Sequence, residues 1–280
     1  MKHNIRKPIL SISHQLIALL LALLVVFPII YAILISFMNP AQILTLPPSI
    51  IPKQWTLENY QAATGVKMLW RMMLNSLILA LSVSVLRIFF ASISAYAFSF
   101  FEFPLKKFFF TLCLGSVLIP FDVVLISNYR TISKLGLLDT YLGMMSVLCI
   151  SAMNIFMMRQ AFLSSSKSLR EAASIDGCGD FKFFVKILLP TSRTVLTTVF
   201  ISSFISTWNT YLWPMLVVNN AEMQTVQAGV RIIQNMFRDS NGYGPMMAVS
   251  CIILAPTILA FLLFRKQIVS GIMEGAVKAE

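Results

Sequence analysis

The residues whose types and spacing say most lie between Ser168 and Pro190. Ser168 and Glu171 have the S-x-x-E spacing of a capping box, in which each side chain satisfies an orphan backbone N–H at a helix start. Ala172 and Ala173 follow and favour a helix with a small-residue face. Asp176 leads into Gly177, which is placed to end that helix, because glycine enters the left-handed region without a Cβ penalty. Asp180 is placed to cap a second short helix, Phe181 to Leu189, containing Ile187 and closed or kinked by Pro190. The pattern predicts two short helices joined by a sharp turn, a rigid small-residue surface suited to seating in a groove. A merely solvated linker would have no use for a fixed glycine and proline.

Other residues suggest a path for a solute. Arg87 falls inside a long apolar run, where a central arginine costs at least ~2.5–3.5 kcal/mol on insertion scales. It should face a helix bundle or a water-filled path, as an anion contact or as a structural partner for carbonyls or a buried acid. Trp208, Asn209, Tyr211 and Trp213 place aromatic faces and an amide late in another run, a combination that suits sugars. The plainer account is enrichment of Trp and Tyr at a membrane interface. Asn209 is the better solute candidate, because an amide in an apolar run needs a partner. Asn154 and Asn75 share that logic, and Asp122 and Asn128 either line an external mouth or are solvated.

Catalytic sets are missing. Nothing matches G-x-x-x-x-G-K-[ST], so no loop cradles ATP phosphates. The only histidines, His3 and His14, lie near the N-terminus, and the four cysteines, Cys113, Cys149, Cys178 and Cys251, form no C-x-x-C pair. Neither a metal site nor a Ser/His/Asp set is expected, and the chain is read as a non-enzyme that binds no cofactor. An ion-coupled secondary transporter is the alternative class, but it calls for acidic or histidine relays within the membrane, and Asp122 is the sole candidate. A membrane-embedded transferase would need a catalytic acid or metal that is not found.

The elements that must position these residues follow from composition. The chain of 280 residues is 58% hydrophobic and 12% charged, against about 25% charged in a soluble domain. Apolar runs of about 20 residues recur, and they lack the alternation of a barrel strand. Helices are therefore expected: an all-α polytopic membrane protein with spans at 14–38, 73–100, 107–127, 141–162, 192–218 and 244–264, forming one domain over 1–280. The first run follows Lys2, Arg6 and Lys7 but is too long for a signal peptide and lacks a cleavage site, so it is read as an uncleaved span. Segment 39–72, with Pro40, Pro47, Pro48, Pro52 and Trp55, reads as an ordered extramembrane loop, 163–191 as polar and helix-prone, and Gln224–Phe237 as amphipathic. The net charge of +11 does not point to nucleic acid, because the cations lie between apolar runs. They favour one side about two to one, which places both termini and 163–191 in the cytoplasm and 39–72 outside.

Glu171-Ala172-Ala173, three residues, Gly177, nine residues, then Ile187-Leu188-Leu189-Pro190 resembles the EAA signature of ABC importer permease subunits at every fixed position. The likeness extends along nearly the whole chain. Trp70-Arg71-Met72-Met73-Leu74-Asn75-Ser76, Ala95-Tyr96-Ala97-Phe98, Phe103-Pro104, Pro52 with Trp55-Thr56-Leu57-Glu58-Asn59-Tyr60, and Trp208-Asn209-Thr210-Tyr211-Leu212-Trp213-Pro214 are similar to segments of sugar and glycerol-phosphate permeases. It is nearest to the smaller, six-span partner of heterodimeric carbohydrate permeases. The resemblance implies that 163–191 is a coupling loop docking on a separate ATPase dimer, which holds ATP and Mg. It also implies a second permease subunit, an extracytoplasmic solute-binding protein, and import of a carbohydrate, or alternatively of sn-glycerol 3-phosphate or a glycerophosphodiester, by alternating access.

Overall fold

The structure is a computed structural model that describes residues 6–47, 49–164, 167–238 and 242–277. Lys2, His3, Pro48 and Lys278 lie outside the described residues. In chain order the α-helices are α1 (Arg6–Ser36), α2 (Pro40–Ile43), α3 (Glu58–Gly65), α4 (Lys67–Phe100), α5 (Lys106–Gly115), α6 (Phe121–Lys134), α7 (Tyr141–Ser146), α8 (Ala152–Ser164), α9 (Lys167–Ile175), α10 (Asp180–Phe183), α11 (Leu189–Thr191), α12 (Arg193–Trp208), α13 (Leu212–Val217), α14 (Val226–Met236) and α15 (Tyr243–Val277). No strand occurs among the described residues, as the continuous apolar runs require.

Among these residues, three helical stretches are long and apolar enough to cross a bilayer: His14–Ser36, Lys67–Phe100 and Tyr243–Arg265. Two bent pairs, Lys106–Leu118 with Phe121–Lys134 and Asp180–Thr191 with Arg193–Trp208, bring the number to five if each is one span. The 101° bend of the first pair replaces the straight span expected at 107–127. A residue before proline is driven out of the α region, and Ile119 (φ −88°, ψ 111°) precedes Pro120. The run expected at 192–218 is also divided, into α12 and α13. Pro214 would clash with the carbonyl four residues earlier in a continuing helix, but in the first turn of α13 it needs no N–H partner. The run expected at 141–162 is the six-residue α7 and the thirteen-residue α8, separated by 147–151. Thr140 caps the first, its Oγ1 accepting from the Gly143 N–H at 3.0 Å.

The chain divides into two compact units, residues 1–70 with 231–255 and residues 71–230 with 256–280. In the first, the segment after α1 folds back onto the end of that helix. The Asn59 amide donates to the carbonyls of Ser36 at 3.0 Å and Met38 at 2.7 Å. The hydroxyls of Tyr60 and Ser36 lie 2.9 Å apart, and the Phe37 ring packs on Trp55 and Tyr60. The α1 face bearing Leu20, Leu24 and Val25 is exposed, an apolar surface that a bilayer or a partner helix would cover.

Two buried clusters of described residues lie in the second unit. One joins Leu79, Val83, Ile132, Met144, Trp213 and Val217. The other joins Ala91, Ala95, Tyr96, Met158, Phe162 and Val199 with residues of the 168–190 segment. Asn75 on α4 ties the segment after α13 to this unit, donating to the carbonyls of Glu222 at 2.7 Å and Gln224 at 2.9 Å and accepting from the Tyr141 hydroxyl at 2.8 Å.

Candidate functional site

The sharp turn expected after the alanines is present. Gly177 has φ +72°. The Cys178 N–H donates to the Ala173 carbonyl at 2.8 Å and the Gly177 N–H to the Ser174 carbonyl at 3.1 Å, the two bonds of a Schellman C-cap. The start of this helix differs from expectation: α9 already begins at Lys167, ahead of Ser168, so Ser168 does not stand at the cap position. The Ser168 side chain lies outside the described residues.

Asp180 does not cap the second helix either. The cap position belongs to Gly179, and Asp180 is the first helical residue. Its carboxylate instead accepts from the Arg170 guanidinium at 3.0 Å, and its carbonyl accepts from the Tyr96 hydroxyl at 3.1 Å. Arg170 also donates to the Phe100 carbonyl at 2.8 Å and lies over the Phe100 ring at 5.2 Å. The last carbonyl of α4 is thereby satisfied by a charged donor from α9. The second helix carries a π-helical turn at Phe184–Leu188 just before Pro190. Proline removes one N–H and crowds the carbonyl four residues back, and a wider turn relieves both. The chain then bends by 76° into α12.

The proposed coupling residues divide by exposure. Ala173 is buried with Tyr96, Phe162, Phe183 and Leu188, and Ile187 and Leu189 pack against that cluster. Glu171, Ala172, Asp176, Gly177 and Pro190 are exposed. Two apolar side chains beside them are also open, Ile175 at 86% and Phe181 at 80%. Sequence reasoning missed these two, and it missed Arg170 and Tyr96 as anchors. Ile175, an apolar residue set between Ser174 and Asp176, carried a local signal, whereas Phe181 opens the run Phe181-Lys182-Phe183-Phe184 and is not set apart from its neighbours. The ties from Arg170 and Tyr96 join residues far apart in the chain and left no local mark.

The residues suggested for a solute path fall into separate settings. Arg87 donates its Nε to the Leu148 carbonyl at 2.6 Å and an Nη to the Ser206 Oγ at 2.9 Å. Leu148 lies in the break between α7 and α8, so Arg87 supplies a donor where the helix ladder is interrupted. Asn154 donates to Ser203 Oγ at 3.0 Å in a buried contact. Ser203 and Ser206, three residues apart on α12, thus receive one polar side chain from α8 and one from α4. Trp208 is buried and stacked on Phe204, with centroids 6.0 Å apart, and Trp213 is buried with its N–H on the Met144 carbonyl at 3.1 Å. These two indoles serve packing and do not form an open platform. Asn209 bonds back to the Ile205 carbonyl at 2.9 Å, while Tyr211 and Asp122 are exposed.

A chain with three long apolar helices, two bent apolar pairs and a capped helix pinned to one end of α4 has the make-up of a polytopic membrane protein. Residues 87–268 match the family described as binding-protein-dependent transport system inner membrane component, and the chain belongs to that family. The resemblance to ABC importer permeases is borne out. Among its relatives, the sn-glycerol-3-phosphate transport system permease protein UgpE of Brucella abortus (strain 2308) is 35% identical over 96% of this chain and 98% of its own length. The protein of the same description from Rhizobium meliloti (strain 1021) is 33% identical over the same shares. In fold, the chain is similar to a subunit in the crystal structure of a bacterial ABC transporter involved in the import of the acidic polysaccharide alginate. The TM-score is 0.84, with 23% identity over 95% of this chain and 99% of that one.

Proposed function

We propose that this chain is the permease subunit of an ATP-driven importer, and that of the two solutes considered, a carbohydrate or sn-glycerol 3-phosphate, it carries the phosphate ester. The relatives named for that solute support the second part. The observation that carries the first is the helix at Lys167–Ile175, closed by Gly177, anchored inward by Ala173 and open outward at Ala172 and Ile175, with Phe181 open on the short helix that follows the turn. Two apolar side chains exposed on a rigid turn suit the groove of a separate ATPase, which would hold ATP and Mg and take up their surface. Movement of that ATPase would reach α4 through Arg170 and Tyr96.

In this reading the whole chain acts as one transmembrane domain, its termini and 163–191 face the cytoplasm, and a second permease completes the path. A solute-binding protein delivers the ligand to 39–72 and 219–243. Arg87, Asn154 and Trp208 hold α12 in place, and Asp122, Asn209 and Tyr211 are the candidates for touching the solute. The test is uptake of radiolabelled sn-glycerol 3-phosphate and of neutral disaccharides in cells expressing the chain with its partner proteins. ATP-dependent uptake of the phosphate ester, lost in Gly177→Asp, is expected. Uptake that survives ATP depletion overturns the importer reading, and preference for a neutral sugar overturns the solute assignment alone.

A further inference from the structure

We propose that a basic, aromatic-walled cleft at the end of α4 and start of α5 binds the headgroup of an anionic phospholipid. The cleft has a volume of about 660 Å³. Phe98, Phe103 and Phe110 form its walls, and Lys106, Lys107 and Arg159 bring cations to it. Glu102 is the one acid that lines it, and the Lys106 ammonium already pairs with that carboxylate at 3.2 Å. The Lys107 ammonium makes no hydrogen bond or ion pair among the described residues. The Arg159 guanidinium carbon lies over the Phe110 ring, 4.1 Å from its centroid, and its Nε donates to the Phe98 carbonyl at 3.3 Å, which fixes the guanidinium while leaving its terminal nitrogens for an acceptor. Once the Lys106–Glu102 pair is set aside, the cleft holds two cations without a counter-charge.

The surroundings select a lipid as the source of the anion. Phe108, Phe109 and Leu112 on α5 are exposed, as is Leu105 at the entrance. A phospholipid offers phosphate to the cations and acyl chain to this apolar face, whereas a free phosphate leaves the face bare. Basic pockets at the ends of membrane helices bind anionic headgroups through this combination. Because Arg170 bonds to the Phe100 carbonyl, the cleft lies at the coupling-helix end of α4. Its assignment to the cytoplasmic leaflet rests on the orientation proposed above.

The test is native mass spectrometry of the full chain in neutral detergent, titrated with phosphatidylglycerol or with phosphatidylcholine of identical acyl chains. One tighter phosphatidylglycerol site is expected, weakened about fivefold by Lys107→Gln and unchanged by Lys134→Gln, which removes a cation elsewhere. Equal binding of the two lipids, or equal binding by wild type and Lys107→Gln, overturns the proposal. Displacement of phosphatidylglycerol by inorganic phosphate at equal concentration also overturns it, in favour of a soluble anion. The orientation is read separately, from labelling of Lys107→Cys in intact cells by an impermeant maleimide. Labelling from outside removes the leaflet assignment and leaves the lipid titration to stand or fall alone.

Discussion

The Arg170 guanidinium meets the Asp180 carboxylate at 3.0 Å, across the turn that Gly177 makes between two short helices. Both side chains are partly exposed, so the ion pair alone contributes little, under about 1 kcal/mol. Its role is to hold the two helices as one body. Asp180→Asn should therefore change the thermal midpoint of the detergent-solubilised protein only slightly. Arg170→Ala should lower it more, because the Phe100 carbonyl also loses its charged donor, a bond worth ~1.5–3 kcal/mol. Equal midpoints for the two variants would show that the bond to α4 carries no weight.

Gly177 gives a graded prediction. A Cβ built there meets nothing within 4 Å, so the cost of a side chain is conformational and not a clash. An L-residue in the left-handed region costs about 1–2 kcal/mol, and asparagine tolerates it best. Uptake should fall in the order Gly177, Gly177→Asn, Gly177→Ala. If alanine matched glycine in transport, the left-handed cap would not be what couples this helix.

Arg87→Gln tests the junction of α4 with the 147–151 break. The Leu148 carbonyl would lose its donor, at a cost of about 1–3 kcal/mol if it stays dry. A lower thermal midpoint and reduced transport are expected together, with partial recovery in Arg87→Lys, which keeps the charge but not the fork. Loss of transport at an unchanged midpoint would instead favour direct contact with an anionic solute. No change in either would exclude both roles.

Composition and apolar run length were enough to read the membrane class, and Gly177 after the alanines was enough to read the sharp turn. Pro120 and Pro214 carried a local signal for two of the broken helices, because proline acts on its neighbours whatever the tertiary context. The break at 147–151 had a weaker mark, a serine at 151 whose hydroxyl accepts from the Asn154 N–H at 3.4 Å. What makes that break tolerable is Arg87, 61 residues away, and such pairings leave no trace in local pattern. The same holds for Trp208 and Trp213. Their residue type fits an interface, a sugar platform or a core equally well, and only packing against Phe204 and Met144 decides for the core.

Asp139 gives a pH dependence whose sign is set by its partners. Its carboxylate accepts from the backbone N–H groups of Asn219 at 2.6 Å and Asn220 at 2.8 Å, and these bonds, that of Asn220 foremost, hold it below the usual carboxylate range. A depressed folded value means that the charged form favours the folded state. The contribution is full above the unfolded value of about 3.9 and is lost as pH falls through the lower folded value. The bonds join the loop after α6 to the segment after α13, where the Asp139 N–H also donates to the Val217 carbonyl at 3.0 Å. Thermal midpoints of wild type and Asp139→Asn should differ by a constant amount from pH 7 to pH 5, and the gap should close below about pH 4. A gap that stays constant into strong acid would mean that the charge on Asp139 does not hold these segments together.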